Sequence, residues 1–196
     1  MKKKRAALKE VPDLEQLKAE LHREQYKKRY SSALRSTIYT LIVVAAVAVL
    51  VAVLLLPVLR IYGSSMSPTL SEGDIIVSVK GTDFEAGDLV AFYVGNKLLV
   101  KRYIAGPGQW VDIDKDGNVY VDDKLLNEAY LVERAFGDCN IELPYQIPDG
   151  RYFVMGDHRS TSVDSRHTSV GCVADEQIVG KILFRVWPLS EFGAVR

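Results

Sequence analysis

Residues 89–105 read LVAFYVGNKLLVKRYIA, and this stretch decides the fold of most of the chain. It contains two apolar runs, Leu89–Val94 and Lys97–Ala105, on either side of Gly95-Asn96. Valine, tyrosine and phenylalanine favour strands, and a two-residue spacer containing glycine between such runs is typical of a β-hairpin. The stretch therefore predicts two antiparallel strands joined by a tight turn.

Short apolar runs of the same kind continue in both directions along the chain. Glycine, proline, aspartate and asparagine separate them, and the further candidate strands are Asp74–Val79, Trp110–Ile113, Val119–Val121, Tyr152–Met155 and Ile178–Trp187. Asp114–Asn118 predicts a second turn. Residues 60–196 are therefore predicted to be mostly β, with antiparallel strands forming a partly closed barrel or coiled sheets. Residues 123–149 have the weakest pattern and are predicted to be a surface excursion.

Residues 37–59, TIYTLIVVAAVAVLVAVLLLPVL, form a 23-residue stretch without any charge. As a helix it would be about 34 Å long, enough to cross a hydrocarbon core of about 30 Å. The sequence therefore predicts one transmembrane α-helix ahead of the β domain. A buried core helix is a poorer interpretation, because such helices are rarely uncharged on every face. A cleaved secretory signal is also poorer, because its apolar run is shorter and its leader is brief.

The net charge of zero, from 25 basic and 25 acidic residues, conceals a separation of charge. Residues 1–36 have a net charge of +6, and residues 60–196 have a net charge of −6. By the positive-inside rule, the 1–36 arm is predicted to be cytoplasmic and the β domain to be outside. The arm is interpreted as a solvated, partly helical tail rather than an interfacial helix. This balance argues against disorder and against a uniformly basic nucleic-acid binder.

Three polar groups of residues are candidates for chemistry. Ser65 lies among small residues just beyond the apolar stretch, where it could be a nucleophile or simply part of a surface loop. Lys101 lies in a predicted strand, where burial would lower its pKa and make it a base; the alternative is a surface lysine. Residues 156–166, GDHRSTSVDSR, could be a hydrogen-bonded loop with an Asp–Arg pair, or an ordinary polar loop.

Taken together and in this order, the three groups closely resemble the bacterial type I signal peptidases. The matching residues are Ser65-Met66-x-Pro68-Thr69-Leu70, then Lys101-Arg102, then Gly156-Asp157-x-Arg159-x-x-Ser162-x-Asp164-Ser165-Arg166. The resemblance covers residues 37–196 and fits the short members with a single anchor. It implies a serine endopeptidase that removes N-terminal signal peptides from exported preproteins and cuts after small residues in an Ala-x-Ala-like pattern.

The resemblance also implies a role for each matching residue. Ser65 would be the nucleophile and would offer its main-chain N–H to the oxyanion, and Lys101 would be the general base. The supporting residues would be Ser162, which orients the lysine, the Asp164–Arg166 pair behind it, and Asp157. Gly63 stands where some relatives have a hydroxyl, although shorter members commonly have glycine there. Two further departures from the family pattern are His158, which replaces the usual asparagine, and Ala105-Gly106-Pro107-Gly108-Gln109, which replaces Gly-x-Pro-Gly-Asp.

Partners and location follow from the same resemblance. The expected partners are preproteins with signal peptides and the lipid bilayer, and the expected location is the cell membrane of a bacterium. We expect no cofactor, no metal and no nucleic acid, and the sequence does not predict an oligomeric state. Cys139 and Cys172 could form a disulfide or fill apolar space.

Three other interpretations of the sequence are less well supported. The first is a Ser–His–Asp hydrolase using His158 or His167, although the chain lacks the strand–G-x-S-x-G–helix context of one such class. The second is a self-cleaving regulator with a similar Ser–Lys fold, which the apolar anchor argues against. The third is a membrane-tethered β domain that only binds a partner, which the presence of both Ser65 and Lys101 argues against.

Overall fold

The structure, a computed structural model, describes residues 13–81 and 83–195. They fall into two units, a long N-terminal helix and a β domain. The mostly antiparallel β fold predicted from the sequence is confirmed, as is the single apolar helix that precedes it.

Helix α1 spans Leu14–Leu55 and is exposed along its length. It contains an 18-residue window with a mean hydropathy of 2.8, and it is long and apolar enough to cross a membrane. The helix ends earlier than the predicted 37–59 span, because Pro57 has no N–H to donate and disfavours helical geometry in the residue before it. Val58–Arg60, the last part of the predicted span, is instead an extended strand.

The described part of the β domain contains twelve strands. In chain order they are β1 Val58–Arg60, β2 Ile75–Val79, β3 Leu89–Val94, β4 Lys97–Ala105, β5 Trp110–Ile113, β6 Val119–Val121, β7 Lys124–Leu125, β8 Tyr145–Gln146, β9 Arg151–Met155, β10 Val173–Ala174, β11 Ile178–Trp187 and β12 Gly193–Ala194. All seven predicted strands are present, and β3, β4, β5, β6 and β11 have the predicted bounds. The five strands that were not predicted have only two or three residues each.

These strands form two antiparallel sheets. The larger has the order β1-β2-β11-β3-β4-β9-β10, with β12 beside β11, and the smaller has the order β7-β6-β5-β8. The predicted hairpin between β3 and β4 is confirmed, with Val94 opposite Lys97 across Gly95-Asn96. The predicted turn between β5 and β6 is also confirmed, with Ile113 opposite Val119.

Strand β3 is buried on both faces, which explains its nearly continuous apolar sequence. Leu89 and Ala91 pack on one side with Met66 and Leu70, so residues 61–70 are held against the larger sheet. Val90 and Phe92 pack on the other side. A third apolar cluster joins the two sheets through Ile104 of β4, Val111 of β5 and Phe153 of β9, among others.

The structure shows where residues 123–149 and the two cysteines lie in the fold. Residues 123–149, predicted to be a surface excursion, contain β7 and β8, and Glu128 and Ile147 within them are buried. The surface excursion stays a prediction, and Glu128 and Ile147 are the residues through which the stretch reaches the buried interior. Cys139 and Cys172 are free thiols, and the buried Cys172 packs in the cluster that joins the sheets.

We expect Phe153→Ala to lower the free energy of unfolding by about 3–5 kcal/mol, because it leaves a cavity in the fully buried cluster that joins the sheets. The matched control is Leu125→Ala, since Leu125 is 59% exposed. Urea unfolding can be followed by tryptophan fluorescence, because both tryptophans, Trp110 and Trp187, lie in the β domain. Equal stability of the two variants would contradict the assigned core.

Candidate active site

Strand β4 places two cationic residues, Lys101 and Arg102, side by side in the middle of the larger sheet. Consecutive residues of a strand point to opposite faces, so the two side chains leave β4 in different directions. Lys101 is 2% exposed and Arg102 is 1% exposed, so both cations are buried. A buried cation needs compensation by hydrogen bonds or opposite charge, and the loops around β4 provide it.

Lys101 has a hydrogen-bond partner and a shifted pKa. Its Nζ donates to Ser162 Oγ at 2.9 Å. Burial is the largest influence on the Lys101 pKa and lowers it to about 8. Asp164 and Asp157 oppose this shift, while the positive charge of Arg166 adds to it. A lysine in this setting is neutral far more often than an exposed one at the same pH.

Ser65 lies in the turn formed by residues 61–70, which we call the Ser65 turn. The turn is fixed from within by a hydrogen bond from the Leu70 N–H to the Met66 carbonyl at 2.9 Å, and both side chains are buried. Ser65 itself is half-buried, and its carbonyl accepts a hydrogen bond from the His158 main-chain N–H at 3.1 Å. The Ser65 turn is therefore tied directly to residues 156–166, which we call the acid–arginine loop.

Gly156 allows the Ser65 turn and the acid–arginine loop to approach closely. A Cβ atom at this position would clash with the Ser162 side chain and would lie 2.6 Å from the Ser65 carbonyl oxygen. The missing side chain thus brings Ser162, the partner of Lys101, next to the main chain of Ser65. Among the hydrogen bonds of the described residues, none joins Ser65 Oγ to Lys101 Nζ directly.

Asp157 links three parts of the site through a buried ion pair. Its two carboxylate oxygens accept from Arg102 Nε and Nη2 at 2.8 and 2.6 Å. Thr69 of the Ser65 turn donates its hydroxyl to the same carboxylate at 2.5 Å. Strand β4, the Ser65 turn and the acid–arginine loop therefore meet at one carboxylate.

Asp164 and Arg166 form a second buried pair in the same loop. Arg166 Nε and Nη2 donate to the two Asp164 oxygens, each at 2.8 Å, and the Gly156 N–H donates to Asp164 Oδ2 at 2.9 Å. Burial alone would raise the Asp164 pKa, but the hydrogen bonds and charge of Arg166 bring it below its usual value. Arg166 also donates to the Phe136 carbonyl at 2.7 Å, which attaches the loop to residues 123–149.

The third buried pair, Arg159–Glu128, was not assigned a role from the sequence. Both side chains are fully buried, and Arg159 also donates to the Gly156 carbonyl at 3.1 Å. Arg159 stood within the matched motif, which was a signal that it belonged here. Glu128 had no local signal, because it lies 31 positions away in the least patterned stretch. Tyr130 was missed as well, although its ring lies 3.7 Å from the Arg102 guanidinium carbon.

The two histidines near the loop do not form a triad with Ser65. His167 Nδ1 lies 2.8 Å from Ser169 Oγ, and its Nε2 lies 3.2 Å from Asn140. His158 Nδ1 is buried without a hydrogen-bond partner. Within the described part of the chain, neither imidazole is hydrogen-bonded to Ser65.

A small cavity of about 50 Å³ lies beside Ser65. Residues 59–63 and residues 98–100 line it together with Ser65 and Met66. Gly63 belongs to this lining and has a φ of +81°, a conformation that strains any residue with a side chain. Gly63 therefore offers no side-chain hydroxyl to the site, and the walls are mostly apolar.

Comparison with known proteins places these residues in a family. The family model described as "Signal peptidase, peptidase S26" matches residues 34–187. Signal peptidase IB of Staphylococcus aureus (strain COL) is 39% identical over 152 residues, which cover 67% of this chain and 78% of the relative. Signal peptidase I of Streptococcus pneumoniae serotype 4 is 30% identical over 174 residues, which cover 69% of this chain and 84% of the relative.

A solved structure of signal peptidase I from Enterococcus faecalis V583 is also similar. It is 26% identical, with a TM-score of 0.44, and the match covers 51% of this chain and 97% of that chain. The region matched by the family model includes Ser65, Lys101 and the whole acid–arginine loop. The resemblance seen in the sequence is confirmed: the chain belongs to the signal peptidase family, peptidase S26, and is a serine peptidase.

Proposed function

We propose that this chain removes N-terminal signal peptides from exported preproteins, with Ser65 as the nucleophile and Lys101 as the general base. The observation that carries this proposal is the state of Lys101. Its side chain is buried, its pKa is lowered to about 8, and its Nζ bonds to Ser162, which packs beside the main chain of Ser65. A serine nucleophile needs a neutral base, and the lowered pKa gives this lysine a far larger neutral fraction than an exposed lysine has at the same pH.

The reaction begins when neutral Lys101 takes the proton from Ser65 Oγ. The oxygen then attacks the scissile carbonyl carbon, and the electrons of the C=O bond move to the carbonyl oxygen. The Ser65 main-chain N–H can donate to this oxyanion, because it donates to no protein acceptor among the described residues. Gly63 supplies no second donor through a side chain, so any further donor is main chain or water.

The tetrahedral intermediate collapses when the Lys101 ammonium gives its proton to the leaving amine. The carbon–nitrogen bond breaks, the mature chain departs with its new N-terminus, and the signal peptide stays attached to Ser65 as an ester. Lys101, neutral again, takes a proton from water, and the resulting hydroxide attacks the ester. Ser65 leaves as the alcohol, and the signal peptide departs with a new carboxylate.

The supporting residues act on Lys101 and on the Ser65 turn. Ser162 Oγ accepts the Lys101 hydrogen bond and so fixes the direction of its amine. Asp164 raises the Lys101 pKa, and the positive charge of its partner Arg166 partly offsets that effect. Asp157 holds Thr69 and Arg102 together and thereby positions the Ser65 turn against β4. These are positioning roles, because the groups act through the two reacting side chains.

Substrate choice follows from the cavity beside Ser65. With a volume of about 50 Å³ and mostly apolar walls, it suits a small side chain such as that of alanine. We infer a preference for small residues before the cut, in an Ala-x-Ala-like pattern.

Helix α1 fits the role of a membrane anchor. We propose that the chain crosses the cell membrane of a bacterium once, with the basic 1–36 arm in the cytoplasm and the β domain outside. A signal peptide is itself inserted in the membrane, so an anchor confines enzyme and substrate to one surface and raises their effective concentration. The bilayer is then a partner of the enzyme as well as its location.

The dyad is tested by substituting each member in the detergent-solubilised full chain. We expect Ser65→Ala and Lys101→Met to abolish cleavage of a preprotein with an Ala-x-Ala site, as measured by mass spectrometry of the products. Lys97→Met is the matched control, because Lys97 lies on the same strand but is exposed. Cleavage that survives Lys101→Met would reject the lysine base.

The pH dependence of kcat/KM tests the state of Lys101 in the free enzyme. Because the base must be neutral and its pKa is about 8, kcat/KM should fall about tenfold for each pH unit below 8 and level off above it. The substrate used should carry no group that titrates in this range. If the decrease of kcat/KM toward low pH were instead centred near about 6.5, the usual pKa of histidine, the base would be an imidazole.

Ser162→Ala tests the positioning of the lysine. We expect kcat/KM to fall by about tenfold or more, because a hydrogen bond to a charged group contributes about 1.5–3 kcal/mol. The acid limb should also move to lower pH, since the ammonium form loses its acceptor. Ser160→Ala is the control, because Ser160 is exposed in the same loop. If Ser162→Ala keeps full activity and the same pH dependence of kcat/KM as the wild type, Ser162 has no role in the mechanism.

A further inference from the structure

Among the described residues, Arg60 is the one charged side chain that lines the cavity beside Ser65. It is the last residue of β1, and the other lining residues are Leu59, Ile61, Tyr62, Gly63, Ser65, Met66, Leu98, Leu99 and Val100. The nucleophile candidate therefore lies in a cleft with apolar walls and a single guanidinium. An exposed charge beside apolar surface has a modest but measurable influence on which substrate groups are accepted there.

Arg60 has no acidic partner in the described part of the chain. Its guanidinium carbon lies 5.8 Å from the centre of the Tyr62 ring, and both side chains are exposed. Five other cations of the β domain are paired with carboxylates, namely Arg102, Arg159, Arg166, Lys181 and Arg185. Arg60 thus keeps its donors available, while the Tyr62 ring restricts where they point.

The positive charge of Arg60 contrasts with the net negative charge of the β domain. Residues 60–196 have a net charge of −6, so the domain as a whole repels an acidic substrate segment. A guanidinium presents five N–H donors in a planar fork that matches a carboxylate. Beside Ser65, the Arg60 guanidinium would attract an acidic substrate side chain that the rest of the domain repels.

We propose that Arg60 is a specificity-determining residue that selects preproteins with an acidic side chain close to the scissile bond and disfavours a basic one there. The inference rests on the proposed function and extends it. A lipid phosphate is another anion that a guanidinium can bind. The substrate carboxylate is the better choice, because Arg60 shares its cavity with Ser65 and lies against Tyr62 within it.

The test is a series of preproteins that differ at single positions around one Ala-x-Ala site. Asp, Asn or Lys is placed in turn at each position from five before to three after the cut, apart from the two alanines. Cleavage by the full chain in detergent is compared by competition and mass spectrometry. We expect at least one position where Asp exceeds Asn in kcat/KM by about two- to fivefold, with Lys below Asn, as for an exposed ion pair.

Variants of Arg60 should change this preference in a fixed pattern. Arg60→Gln should bring the ratio of Asp to Asn close to one, Arg60→Lys should retain part of it, and Arg60→Glu should favour the Lys substrate. Lys115→Gln, at an exposed position in the turn between β5 and β6, makes the same change in net charge and should leave the ratio as in the wild type. Raising the salt concentration to about 1 M should reduce the preference, because exposed charges are screened.

Each contrary outcome has a distinct meaning. A wild-type enzyme that cleaves the series without any charge preference, or a preference that persists in Arg60→Gln, would overturn the inference and leave the proposed function standing. The same series can also be cleaved with the enzyme in anionic lipid vesicles. A loss of kcat/KM in Arg60→Gln that occurs only in these vesicles and is equal for all substrates would assign Arg60 to lipid phosphates, and this result would also overturn the inference. Failure of the wild type to cleave any member of the series would overturn the proposed function itself.

Discussion

The hydrogen bond from Lys101 to Ser162 exists only because the fold buries a lysine in the middle of a sheet. An ammonium group taken out of water is costly unless it is neutralised or well bonded. Lys101 projects from β4 and is 2% exposed, and Ser162 of the acid–arginine loop lies 2.9 Å from its amine. The burial that lowers its pKa therefore depends on this loop as well as on the strand that contains the lysine.

Three fully buried arginine–carboxylate pairs surround this lysine, and they connect segments with little regular structure of their own. The Ser65 turn, the acid–arginine loop and the 123–149 stretch contain few strands, so main-chain ladders do not position them. Loss of one partner from a buried pair costs about 3–5 kcal/mol, because the other charge is left uncompensated. Such pairs tolerate few alternative loop conformations, which is why they suit a site that needs fixed geometry.

Elements whose structure depends only on neighbouring residues could be predicted from the sequence. The β3–β4 hairpin was predicted with its bounds because both runs and the Gly95-Asn96 turn lie within 17 residues. The end of α1 was misplaced, since apolar composition was followed past Pro57 into β1, which forms by pairing with β2. Glu128 could not be found in the sequence, because its role depends on Arg159, which only the fold brings near.

The charges of the site also explain how one lysine can be both buried and responsive to pH. Burial and Arg166 favour the neutral amine, while Asp164 and Asp157 favour the ammonium. Without the two carboxylates the Lys101 pKa would be lower still. Without Arg166 it would be higher, and the neutral fraction of the amine at a given pH would be smaller. The same side chains that hold the loops in place therefore keep the Lys101 pKa between these extremes, and structural and chemical roles cannot be assigned to separate residues.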